Sequence, residues 1–405
     1  MLLFFATTIN YMDRQIFGIL GPSLQTEIGW SESDYGLIVA SFTFAYAIGL
    51  LLAGKYLDWI GVKKGFAFSV GGWSLAAMGH ALASTPFGFG IARVFLGFTE
   101  AGNFPASLKA TAEWFPKKER SFATGIFNSG SNVGVVAAAI LVPIITLKYG
   151  WRMAFIVQGA IGFVWLLFWI PYYKRPADHK GISPDERALI EADQDPGNDK
   201  PLSWRVLLSH KQAWAFAMAK FMTDPVWWFY LYWLPKYLNK EHGITLDTLA
   251  LPLIVVYVIA DFGSIGGGWL SAWFIKRGKT HGEARLLTLL TCAICILPTL
   301  YLPFVKSVWP AIFLVSIAAG GHQGWSANVF NIPSDLFPKS SVATLVGFGG
   351  FLGSIGGMIF QAGTGYFLEW NGNNYAPVFM VCGSAYVCAW FVIRWLSKSM
   401  KPIDL

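Results

Sequence analysis

Ionisable side chains stand inside stretches that are otherwise apolar: Asp13 and Arg14 near the start, Arg93 and Glu100, then Lys220, Asp224 and Asp261. A charge at the middle of a membrane-crossing helix costs at least ~2.5–3.5 kcal/mol and persists only where it is paired or faces water. These residues therefore carry the functional information of the chain. A buried guanidinium is a permanently charged planar donor that can grip a carboxylate through two parallel hydrogen bonds. A buried carboxylate can take up or release a proton as a guanidinium leaves or approaches. Arg93 and Glu100 are seven positions apart, so they share a helix face with ~10 Å of rise between them, a face expected to turn toward a central cavity. Lys220 and Asp224, at i and i+4, could simply neutralise one another, and Asp261 could anchor packing.

The elements that must position these groups are long helices. The 405 residues are 55% apolar, 17% aromatic and 13% charged, against roughly a quarter charged in soluble proteins. Runs such as Leu37 to Leu57, Phe66 to Ala83 and Leu286 to Val305 are long enough to cross ~30 Å of hydrocarbon as helix. They are apolar on every face, which excludes a barrel of short alternating strands. Twelve spans are expected, at about 1–23, 34–60, 65–84, 87–114, 121–147, 151–173, 211–238, 247–275, 285–304, 308–334, 341–369 and 375–397. The polar stretch 174–210, with four prolines and a helix-start pattern at Ser183-Pro184-Asp185-Glu186, divides them. The expected fold class is thus all-α, with a six-helix bundle over 1–173, a linker over 174–210 and a second six-helix bundle over 211–405.

The formal net charge of +7 does not point to nucleic acid, because the basic residues sit between apolar runs and not in aromatic-interleaved patches. Most of them fall on one side of the expected topology, including Lys63, Lys64, Lys117, Lys118, Arg120, Lys276, Arg277 and Arg394. Lys148, Arg152, Lys236, Lys240 and Lys306 fall on the other. By the positive-inside rule the first side is cytoplasmic, and an even number of spans keeps both termini there. The first run contains Asp13 and Arg14 and reads as a span, not as a cleaved leader. Cys292-x-x-Cys295 has no second ligand pair nearby, and His179, His210 and His281 lack ligand spacing. No metal, no cofactor and no enzymatic centre is expected, and no G-x-x-x-x-G-K-[ST] loop provides for ATP. Gly130 and Gly134, Gly263 and Gly267, and Gly349, Gly353 and Gly357 recur at four-residue intervals, a pattern for close helix packing. A lone His80 on an apolar face reads as packed and hydrogen-bonded.

The segment Gly54-Lys-Tyr-Leu-Asp58-Trp-Ile-Gly61-Val-Lys63-Lys64 recurs in degenerate form as Gly268-Trp-Leu-Ser-Ala272-Trp-Phe-Ile-Lys276-Arg277. It resembles the loop signature of the major facilitator superfamily, as does the twelve-span layout throughout. Arg93-Val-Phe-Leu-Gly97-Phe-Thr-Glu100-Ala-Gly102-Asn-Phe-Pro105, Glu113-Trp114-Phe115-Pro116 and Asn10-Tyr11-Met12-Asp13-Arg14 resemble the anion:cation symporter branch. Lys109-Ala-Thr-Ala-Glu113 through Ser121, Phe127-Asn128-Ser-Gly-Ser131-Asn132-Val-Gly134, Tyr173-Lys174-Arg175-Pro176, His322-Gln323 and Ser334-Asp335 are similar to bacterial hexuronate transporters.

That resemblance implies a secondary carrier of the bacterial inner membrane, taking up a small anionic sugar acid with a proton by alternating access. Aldonates are the alternative substrate. Arg14 is the first choice for the fork that holds the carboxylate, with Tyr46, Asn128 and Asn132 as hydroxyl or amide partners of the sugar, and His322, Gln323 and Asn328 contributing from the second half. Asp13, Arg93 and Glu100 are the candidates for proton coupling, with Glu100 preferred. Gly54, Asp58, Gly61, Lys63 and Lys64 form a conformational latch. The lipid bilayer is the environment, the protein is expected to act as a monomer, and sodium is the competing ion, although no unwound helix with clustered carbonyls and carboxylates is legible for it. A membrane enzyme and a non-transporting sensor are the readings from other classes.

Overall fold

In the computed structural model of the chain, the described residues are all but Lys180, Pro184, Arg187, Ala188, 191–202, Ser399, Lys401, Pro402, Asp404 and Leu405. Among the described residues sixteen helices follow one another: α1 Leu2–Ile28, α2 Glu32–Ile60, α3 Val62–Gly79, α4 Pro86–Glu100, α5 Asn103–Trp114, α6 Lys117–Tyr149, α7 Trp151–Tyr172, α8 Trp204–Ser209, α9 Lys211–Tyr232, α10 Leu234–His242, α11 Ala250–Lys276, α12 His281–Ile296, α13 Val308–Val329, α14 Ile332–Leu336, α15 Lys339–Trp370 and α16 Ala376–Leu396. The 3-10 turns are His80–Leu82, Pro176–Asp178 and Leu297–Phe304. The twelve expected spans are all found as helix; four are interrupted near a proline, and 65–84 ends in the 3-10 turn His80–Leu82.

The interruptions have a common local cause. The expected span 87–114 is split into α4 and α5, with Gly102 N–H bonded to the Thr99 carbonyl at the junction. Pro105 has no N–H to offer the Ala101 carbonyl and its ring crowds that oxygen. A proline likewise sits in the first two positions of α10, of α14 and of the 3-10 segment after α12. Glu100 is therefore the last residue of its helix segment, a break that hydropathy does not register. The expected helix start at Ser183 has its hydroxyl accepting from Glu186 N–H at 3.1 Å, and Pro184 in that pattern lies outside the described residues.

Among the described residues, seven helical stretches are long and apolar enough to cross a membrane, for example Glu32–Ile60, Trp151–Tyr172 and Ala376–Leu396. Helices α1, α4 and α9, which carry Arg14, Glu100 and the Lys220–Asp224 pair, are not among them.

The chain packs as two compact units, one of Met1–Leu20 with Ser41–Asn198 and the other of Gly21–Ala40 with Asp199–Leu405. In the first, α3 packs on α7, and glycines seat α4 and α6. A Cβ at Gly97 would strike the Phe42 carbonyl, one at Gly130 the Phe4 carbonyl and one at Gly134 the Thr8 carbonyl. In the second, α11 crosses α13 so closely that a Cβ at Gly263 would meet the Gly320 backbone and one at Gly267 that of Gly324. The hairpin 21–40 is tied into this second unit: Lys236 pairs with Glu32, Tyr35 donates to the Tyr232 carbonyl at 2.6 Å, and Ser33 N–H donates to Glu369.

Candidate functional site

In the first unit, the close seating of α4 on α2 and of α6 on α1 draws the expected charged residues into one cluster. Arg14 on α1 donates from Nε and Nη2 to Glu100 Oε2 at 3.1 and 3.0 Å, and from Nη2 to Asn10 Oδ1 at 3.3 Å. Its guanidinium carbon lies 4.7 Å from the ring centres of both Tyr11 and Tyr46 and 5.3 Å from that of Phe42. Arg14 and Glu100 are both buried. A cation framed by aromatic faces is attracted to their π-systems without being neutralised by them, so the arginine keeps its capacity to bind an anion.

Arg93 is fully buried, with its guanidinium carbon 4.5 Å from the Phe17 ring centre and 4.8 Å from that of Phe42. The common helix face of Arg93 and Glu100 is thus occupied differently at its two ends, and Glu100 forms its ion pair with Arg14. Phe42 lies beneath both guanidinium groups. Asp13 is fully buried, and its two oxygens accept no hydrogen bond among the described residues. Asn132 on α6 is buried and Asn128 exposed, while Ser131 donates to the Asn128 carbonyl at 2.7 Å. Tyr46 is half-buried and stacks on Phe42. His80 bonds the Ala76 carbonyl and stacks on Phe155 at 4.9 Å, the packed role expected of it.

At one end of this unit, Asp58 pairs with Lys109 of α5 at 2.5 Å, and the same ammonium donates to the Leu57 carbonyl. The sequence placed Asp58 beside Lys63 and Lys64 and did not single out Lys109 as its partner. The signal was available, since Lys109 opens the Lys109 to Ser121 motif. Other motif residues bond one another nearby: Tyr173 donates to Glu113 at 2.6 Å, Trp114 to the Lys174 carbonyl at 3.1 Å, and Trp169 to the Lys63 carbonyl at 2.9 Å. Gly61 has φ +84, which makes the α2–α3 turn, a conformation that residues with a Cβ rarely adopt. A Cβ at Gly54 would touch nothing within 4 Å among the described residues.

The second unit holds the remaining expected residues. His322 on α13 is buried, stacks on Trp227 at 4.8 Å with 6° between the planes, and shares a short hydrogen bond with the Tyr386 hydroxyl. Gln323 is half-buried. Asn328 is committed on every side: its amide donates to the Gly267 and Gly324 carbonyls at 3.1 and 2.8 Å, and its oxygen accepts from Arg285 at 2.7 Å. Arg285 also pairs with Asp335 at 2.8 Å, which staples α12 to the start of α14. Lys220 and Asp224 are joined at 2.8 Å, as their spacing allowed.

The chain is 31% identical over 401 residues to the hexuronate transporter of Escherichia coli (strain K12), covering 98% of this chain and 92% of that protein. It is 37% identical over 279 residues to the galacturonate transporter of Dickeya chrysanthemi, covering 68% of this chain and 81% of that protein. The crystal structure of a D-xylose-proton symporter matches with a TM-score of 0.76 and 16% identity, covering 100% of this chain and 98% of that one, a likeness of fold alone. Residues 3–361 match the Major Facilitator Superfamily. This multi-pass, all-helical membrane protein belongs to that superfamily.

Proposed function

We propose that this chain is a proton-coupled symporter of a hexuronate such as glucuronate or galacturonate. It works by alternating access in a bacterial inner membrane, with both termini cytoplasmic and the monomer as the working form. The observation that carries the reading is the buried Arg14–Glu100 pair within a ring of aromatic side chains. The guanidinium is the anchor for the uronate carboxylate, and Glu100 is the group whose place on the guanidinium that carboxylate takes. When Glu100 is protonated its hold on Arg14 weakens, so a proton and an anion are favoured together. Asp13, fully buried one position before Arg14, is the second carrier in this scheme. The names of the relatives from Escherichia coli and Dickeya chrysanthemi support a uronate over other small anions.

Proteoliposome uptake of radiolabelled uronates, aldonates and neutral hexoses under an imposed proton gradient tests this reading. Uronates should accumulate and be released by a protonophore, and a neutral hexose should fail because it leaves Arg14 buried without a ligand anion. Accumulation that follows a sodium gradient and ignores the proton gradient would overturn the coupling. Aldonate uptake with no uronate uptake would overturn the substrate.

A further inference from the structure

We propose that the Asp224 carboxylate, held in place by Lys220, accepts hydrogen bonds from the hydroxyl groups of the transported acid, and so makes the carrier select polyhydroxylated acids over bare carboxylates. The inference rests on the sugar-acid reading above and concerns the second unit by itself.

Helix α9 sets Lys220, Asp224 and Trp227 on one face at i, i+4 and i+7. The two members of the ion pair are not equivalent. Lys220 is the buried one, with 7% of its side chain exposed, its ammonium 2.8 Å from Oδ2 and 3.1 Å from Oδ1 of Asp224 and 4.1 Å from the Phe330 ring centre. Asp224 keeps 20% of its side chain exposed. A carboxylate on a membrane-crossing helix is untenable against lipid, so the exposed side of Asp224 faces polar space. An ionised carboxylate has about four lone-pair sites; the ammonium engages both oxygens once each and leaves acceptor capacity on both. Such a group is acceptor-only, and the donors it matches are hydroxyls.

Its surroundings fix its position. Beside the pair, Tyr386 donates to the Thr223 carbonyl at 3.2 Å and bonds His322, which is stacked on Trp227. These contacts lock α9, α13 and α16 around the pair. On α15, Gly353 leaves room for the carboxylate, because a Cβ there would strike Asp224 Oδ2. Tyr386 and His322 are thus bonded to one another and to α9, while Asp224 keeps part of its carboxylate exposed.

The test is a cycle between protein and ligand, measured as equilibrium binding of galacturonate and its monodeoxy analogues to purified wild type and Asp224→Asn. In wild type, removal of at least one hydroxyl should weaken binding by roughly tenfold or more. In Asp224→Asn, galacturonate should weaken by a similar factor, and loss of that same hydroxyl should then make little further difference. Gly353→Ala, which displaces Asp224 and leaves Arg14 untouched, should reproduce the pattern and decides the matter if Asp224→Asn does not fold. Equal weakening of every ligand in the variants, or unchanged galacturonate binding, would overturn the role of Asp224 alone. Wild type that binds no uronate or aldonate would overturn the sugar-acid reading, and this inference with it.

Discussion

Arg14 makes both of its hydrogen bonds to Glu100 with a single carboxylate oxygen, Oε2, while Oε1 accepts none among the described residues. The pair spans 86 positions of sequence and joins α1 to the last residue of α4. A fork facing both oxygens of a carboxylate is the stronger arrangement. The protein's own pair is thus weaker than the one a ligand carboxylate could form, as an exchangeable anchor requires.

Replacing Arg14 by Lys keeps the charge and removes the planar fork. The variant should insert and fold, and uronate binding should weaken by about 2–3 kcal/mol, the scale for charge-assisted bonds. Isothermal titration of the purified protein checks this, and wild-type affinity would remove Arg14 as the anchor.

Glu100→Gln imitates the protonated acid at all pH values. Exchange of internal for external substrate should survive, accumulation driven by a pH gradient should be lost, and binding should depend less on pH than in wild type. Asp13→Asn is the companion variant, because two neighbouring carboxyls can share one titration. Accumulation lost only in Asp13→Asn would move the coupling role to α1.

The Asp58–Lys109 pair is largely exposed on the carboxylate side, so its direct contribution to stability is small, ~0–1 kcal/mol. Asp58→Asn and Lys109→Met should therefore melt close to wild type and bind substrate normally, and both should slow net transport by shifting the balance of conformations. Stopped-flow uptake beside equilibrium binding separates the two effects. A collapse of binding would place Asp58 in the site or in folding.

Gly263 and Gly266 lie one turn apart on α11 and differ in what a side chain would meet. A methyl at Gly263 runs into the Gly320 backbone, and one at Gly266 meets nothing within 4 Å. Gly263→Ala should cost about 1–3 kcal/mol through overpacking, and Gly266→Ala should be neutral. Thermal melting in detergent compares them directly.

The membrane class, the order of spans and the identity of the buried charges were legible in the sequence, because hydropathy is a property of ~20 consecutive residues and each misplaced charge stands out against it. Apart from Lys220 and Asp224 within one helix, which charges meet was not legible. Arg93 shares a helix with Glu100, yet the ion pair of Glu100 is with Arg14 on another helix; the cation of Asp58 is Lys109, on α5 and not in its own loop; and the amide of Asn328, expected at the sugar, is bonded to backbone on two helices. Proline was equally ambiguous, since Pro22, Pro143, Pro171 and Pro225 lie inside continuous helices while Pro105 follows a break. The reason is the same in each case. The rotation and crossing of helices are set by contacts between residues far apart in sequence, such as Gly97 against Phe42 or Gly134 against Thr8, and that close packing decides which polar groups face one another and whether a freed carbonyl finds another partner.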